Sequence, residues 1–84
     1  MAVRLNHTIV SARDHLASAR FLTEILGLSE PVQLGPFAIV QVGDTSLDFM
    51  ESGKINPQHY AFLVTELEFD EIFARIRQRG LTYW

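Results

Sequence analysis

LNHTIV, residues 5–10, alternates aliphatic and polar side chains around a single histidine. Strict alternation puts Val3, Leu5, His7 and Ile9 on one face of a strand, with Arg4, Asn6 and Thr8 on the other. The face that carries three aliphatic side chains is expected to be the buried one. An imidazole there needs a hydrogen-bond partner or a metal, because burying it unpaired costs about 1–3 kcal/mol.

Beyond this strand, SARDHLASARFLTEILG (residues 11–27) reads as a helix, with Asp14 as N-cap and Gly27 as the glycine that ends it. Ala17, Phe21, Ile25 and Leu28 form its expected apolar stripe, flanked by Leu22 and Leu26, while Arg20, Thr23 and Glu24 fall opposite. PVQL (31–34) is extended and is broken by Gly35-Pro36. FAIVQV (37–42) is a β-branched run suited to a buried strand, and Gly43-Asp44 turns it back into TSLDFMES (45–52). In that last strand Leu47, Phe49 and Glu51 share one face. Residues 53–58 are a polar linker containing Asn56-Pro57.

The pattern then restarts. QHYAFLV (58–64) is expected to form a strand, and again a histidine, His59, precedes the apolar run. Thr65 to Glu68 matches a capping box, followed by an i, i+3, i+4, i+7 stripe of Phe69, Ile72, Phe73 and Ile76. Acidic residues crowd the start of this helix and Arg75, Arg77 and Arg79 its end, as the helix dipole favours. Glu71 and Arg75 add an i, i+4 pair, and the arginine run reads as a solvated face. LTYW (81–84) looks like the opening of a further strand. His7 and His59 therefore stand at equivalent places in a weak internal repeat of about 50 residues.

The chain of 84 residues is 48% hydrophobic, which suits one packed domain (1–84) rather than a disordered segment. Within it, residues 1–53 read as one strand-helix-three-strand module and residues 58–84 as a partial second one (strand, helix, strand stub), an α+β fold. A net charge of −3 with only seven Lys and Arg residues gives no footprint for nucleic acid or an anionic membrane. Cysteine is absent, which removes disulfides, thiolate metal sites and cysteine nucleophiles together. Phosphate-binding loops, nucleophile elbows and HExxH helices do not occur. The apolar runs are too short to span a bilayer, and residues 1–10 lack signal-peptide features, so a cytoplasmic protein is expected.

The order of elements, the paired histidines, ARFLTEILGL (19–28) and RIRQRGLTYW (75–84) resemble the vicinal oxygen chelate superfamily. That group includes glyoxalase I, extradiol dioxygenases, and fosfomycin and bleomycin resistance proteins. The resemblance implies paired βαβββ modules whose curved sheet encloses a metal or ligand cavity. It also implies that His7 and His59 are metal ligands and that Glu51, at the end of the fourth strand, is a carboxylate ligand and catalytic candidate. Two imidazoles and a carboxylate with open positions suit Fe(II), and also Zn, Ni or Mn.

Two functions follow from this resemblance. One is a metal-dependent enzyme, a lyase, isomerase or dioxygenase, whose divalent ion chelates adjacent oxygens of a small molecule and acts as a Lewis acid. The other is a metal-free module that sequesters a bleomycin-type antibiotic. In either case Phe37, Ile39, Phe49 and Trp84 are expected to line the cavity. The strand at residues 58–64 would leave an unpaired edge, so a two-fold homodimer is expected, with His7 of one chain meeting His59 of its partner.

Overall fold

A computed structural model describes residues 3–83. In chain order the elements are β1 (His7–Ala12), α1 (His15–Leu26), β2 (Val32–Leu34), β3 (Phe37–Val42), β4 (Thr45–Glu51) and α2 (Glu66–Gln78). The four strands form one sheet in the order β1-β4-β3-β2, with β1 parallel to β4 and the other pairs antiparallel. This is the α+β, βαβββ architecture expected from the sequence, followed by a second helix.

Register sorts every strand residue onto one of two faces. Opposite His7, Ile9 and Ser11 of β1 stand Ser46, Asp48 and Met50 of β4. Across β4 these meet Gln41, Ile39 and Phe37 of β3. The other face carries Val10, Ala12, Leu47, Phe49, Ala38 and Val40, and it is this face that α1 covers. Val40 is fully buried at its centre.

The burial expected for β1 is thus inverted. Leu5 is 65% exposed, Ile9 is 45% exposed and His7 is exposed, whereas Val10 and Ala12 pack into the core. The aliphatic count misassigned the face because a lone helix covers only one side of the sheet. The side bearing His7 has no second layer among the described residues.

Helix α1 begins as expected, with the Asp14 carboxylate accepting from the Ala17 amide at 3.1 Å. It ends at Gly27 with φ of 70°, a left-handed conformation that glycine adopts without steric cost. Its buried face matches the expected stripe only in part: Ile25 is buried as expected and Ala19 and Thr23 join it, while Ala17 and Phe21 are exposed. Small side chains let the helix approach the sheet closely, and the Thr23 hydroxyl is satisfied by the Arg20 carbonyl at 2.9 Å. Phe21 instead lies under the Arg79 guanidinium, 5.9 Å from the ring centroid.

Two expected strands do not form. Residues 58–64 follow an irregular path with no ladder partner among the described residues, and so do residues 81–83. An apolar, β-prone run becomes a strand only through pairing, whatever its propensity. The outer strands β1 and β2 take up no further strand here.

Helix α2 carries the expected capping box: Thr65 Oγ1 accepts from the Glu68 amide at 3.1 Å, and Glu68 Oε1 accepts from the Thr65 amide at 2.8 Å. No residue of α2 is buried, and Phe69 is largely exposed. Its arginines are not merely a solvated face. Arg75 donates from Nη1 to the Ile25 carbonyl at 3.1 Å, meeting the negative end of α1, and Arg79 pairs with Glu24 at 3.1 Å. The Glu71–Arg75 pair is present at 3.9 Å.

Replacing Arg75 by methionine removes a charged hydrogen bond worth about 1.5–3 kcal/mol. Amide exchange in α2 should accelerate while exchange in β3 and β4 is unchanged. Hydrogen bonds from the Thr65 backbone amide, then from its hydroxyl, hold the Glu68 carboxyl below its ordinary range. A depressed carboxyl supports the fold above its ordinary pKa and loses that support as pH falls through its folded value. Helix α2 should therefore fray from its N-terminus in acid, and Glu68→Gln should remove that pH dependence from helical circular dichroism.

Candidate functional site

The expected ligands are not gathered in one chain. His7 opens β1 on the uncovered face, His59 lies exposed in the irregular segment, and Glu51 ends β4 on the helix-covered face. Leu47, Phe49 and Glu51 do share a face, but it is the one opposite His7. Among the described residues no group of three histidines or carboxylates is placed to hold a metal. The donors of a single chain therefore do not fit a metal centre.

His7 has one side-chain partner. Its Nδ1 lies 2.6 Å from the Asn6 side-chain oxygen, which can only accept, so Nδ1 carries the proton. Nε2 is then the lone-pair nitrogen, and the carboxamide orients the ring as outer partners of metal-bound histidines do.

Glu51 meets a different histidine. Its Oε1 is 3.9 Å from Nδ1 of His15, whose ring lies largely buried at the start of α1. His15 Nε2 accepts from the Gln33 carboxamide at 3.3 Å, which leaves Nδ1 as the protonated nitrogen, buried and without a hydrogen bond. The burial of His15 follows from β4 ending beside the N-terminus of α1, a tertiary fact with no local signal.

The expected cavity lining divides in the same way. Phe37 and Ile39 lie on the uncovered face. Phe49 is 6% exposed in the core, so it supports the sheet and does not line a cavity. Trp84 lies outside the described residues.

A concavity of about 430 Å³ lies on the helix side, between Leu26, Leu28, Leu47 and Ile72 and the irregular stretch 60–64. Phe37, Ile39 and Phe49 do not border it.

Sequence reading passed over Asp48. It sits between Ile9 and Ile39 on the uncovered face, is only 9% exposed, and accepts from the Ser46 hydroxyl at 2.8 Å. The signal was present, since a carboxylate interrupts the run Leu47-Asp48-Phe49.

The four-stranded sheet with one helix-backed face is a single βαβββ module. The chain is similar to the glutathione transferase FosA of Serratia marcescens, 33% identical over 92 aligned residues that take in all of this chain and 65% of that protein. Among solved structures it is similar to Oxidase ChaP-H1 (64% identity, TM-score 0.95, 99% of this chain and 68% of that one). It is likewise similar to Oxidase ChaP-H2 (60% identity, TM-score 0.95, 100% of this chain and 68% of that one). No family model matches the chain. The chain belongs to the vicinal oxygen chelate superfamily. It spans just under two thirds of the length of the curated relative.

The two histidines should respond separately to nearby changes. Asn6→Ala should shift His7 from the Nδ1–H tautomer toward Nε2–H in long-range proton–nitrogen spectra. Glu51→Gln should perturb the ring signals of His15 and leave those of His7 in place.

Proposed function

We propose that this chain is part of a metal-dependent enzyme acting on a small molecule, with its reaction chamber built against the uncovered sheet face. The observation that carries this reading is His7, an exposed imidazole held by Asn6 with Nε2 free, on a face that has no second layer. Likeness to a transferase and to two oxidases of the superfamily supports enzymatic function and leaves the reaction subtype open.

Because one chain does not assemble the ligands, the reading requires two copies. His7 of one chain and His59 of a second are its histidine ligands. Glu51, at the end of β4 on the far face, stands apart from these two histidines. Together these two histidines would hold a divalent ion (Fe, Zn, Ni or Mn), which would supply Lewis-acid chemistry toward oxygen atoms of the substrate. The chain's own residues contribute an apolar wall, in which Phe37 and Ile39 hold the body of the substrate and exclude water. Residues 1–53 and 58–84 then act as two modules, the second completing the chamber of the partner. No helix is long and apolar enough to cross a membrane among the described residues.

Metal-free sequestration is the competing reading, and the apolar concavity lined by Leu26, Leu28, Leu47 and Ile72 favours it. Untagged protein titrated with Mn²⁺ or Zn²⁺ and followed by sedimentation separates the two. The enzyme reading expects ion uptake that tracks dimer formation and is lost in His7→Ala. A stable monomer that takes up no ion contradicts it.

A further inference from the structure

The helix-backed side of the sheet is not filled throughout. Leu26 and Leu28 at the end of α1, Val42 and Leu47 of the β3–β4 hairpin, and Ile72 of α2 converge around a space of about 430 Å³. Residues 60–64 close its remaining side. Leu28, Val42 and Leu47 also belong to the core packing, so a guest in this space rests directly on the core. An apolar wall with no atoms opposite it forfeits dispersion contacts, which an apolar guest of matching size restores. The closing wall can adapt to such a guest. Residues 60–64 are irregular, and among the described residues no backbone–backbone hydrogen bond fixes them.

The polar part of the lining is sparse and carries a sign. The Thr45 hydroxyl donates to the Leu5 carbonyl at 2.8 Å, and the Tyr60 hydroxyl donates to the Gln58 side-chain oxygen. Both hydroxyl donors are thus used within the chain. Among the described residues Glu68, exposed in the first turn of α2, is the one charged group that borders the space. Its Oε1 accepts from the Thr65 amide at 2.8 Å, which leaves Oε2 to accept from a guest. The Thr65 amide, and then the Thr65 hydroxyl, hold this carboxyl below its ordinary range, so it is ionised at neutral pH. Glu66 adds a second carboxylate to the same turn, and the two outweigh the roughly half positive charge of the helix start.

We propose that this concavity binds an apolar organic cation, an amine whose hydrocarbon body fills the leucine-lined space and whose ammonium group is held by Glu68. Apolar acids of the same shape are disfavoured there. The site lies on the opposite side of the sheet from His7 and needs neither a metal nor a second chain, so it goes beyond the reading of the open face.

Three probes share one compact cage and differ in the charge of its substituent: 1-adamantylamine, 1-adamantanol and 1-adamantanecarboxylate. Titration of the full chain followed by amide chemical shifts reads affinity and place together. The expected result is perturbation at Leu26, Leu28, Leu47, Ile72 and residues 60–64, with the open face around Ile9 and Ile39 unchanged. Affinity should fall from amine to alcohol to carboxylate by about threefold at each step, the scale of a solvent-exposed charge pair. Glu68→Gln keeps an acceptor for the Thr65 amide, since glutamine also serves in a capping box, and removes only the charge. It should level the amine with the alcohol and leave alcohol binding unchanged, which also reports an intact fold. Raising the salt concentration tests the unaltered chain in the same way, because screening should shrink the advantage of the amine.

Equal binding of the three probes, tighter binding of the carboxylate, or an amine preference that survives Glu68→Gln or high salt overturns the inference. So do shifts gathered on the open face, and so does binding of none of the three.

Discussion

The parallel pairing of β1 with β4 governs the rest of this molecule. Two parallel strands cannot be joined by a tight turn, so the chain between them must leave the sheet plane and return. Here it leaves through α1, which packs back on one side and buries Val10, Ala38, Val40, Leu47 and Phe49. Because side chains alternate across the sheet, the same pairing sends His7, Ile9, Asp48 and Ile39 to the opposite side. One side becomes core and the other becomes available surface. The register makes that division, since a shift of one residue would exchange the two sets.

A second constraint acts at the end of α1. Gly27 takes the left-handed turn, and Arg75 packs so closely that its Nη1 would lie 2.9 Å from any added Cβ. The guanidinium then reaches the Ile25 carbonyl, one of the groups a helix terminus leaves unpaired. Helix α2 is thus held to the first module mainly by charged contacts at its C-terminal end, and it buries no residue of its own. Such an attachment lets α2 and the irregular segment before it answer to contacts from another chain.

Much of the fold was legible in the sequence because its signals are local. Asp14, Gly27 and the Thr65–Glu68 box mark helix ends by chemistry confined to a few residues, and all three act as expected. The strands at Phe37–Val42 and Thr45–Glu51 follow from a β-branched run and a Gly43-Asp44 turn. The candidate site was less legible because it depends on parity between strands. Alternation correctly grouped Leu47 with Glu51 and His7 with Ile9, yet nothing local shows whether those two groups face the same way. His15 beside Glu51 and Asp48 beside Ile9 are likewise products of register. The strand expected at residues 58–64 depends on pairing, and the segment pairs with neither free edge, β1 or β2.

The central claim is that the chamber belongs to two chains, each giving one histidine. Mixing two inactive variants tests it most directly, because His7→Ala retains His59 and His59→Ala retains His7. If the ligands come from different copies, dissociating and reassociating the two variants together creates one intact histidine pair in each mixed dimer. Metal uptake then appears in the mixture although neither variant shows it alone. If both ligands came from the same chain, no combination of the two variants would restore a pair, and a mixture as inert as its components would contradict the account.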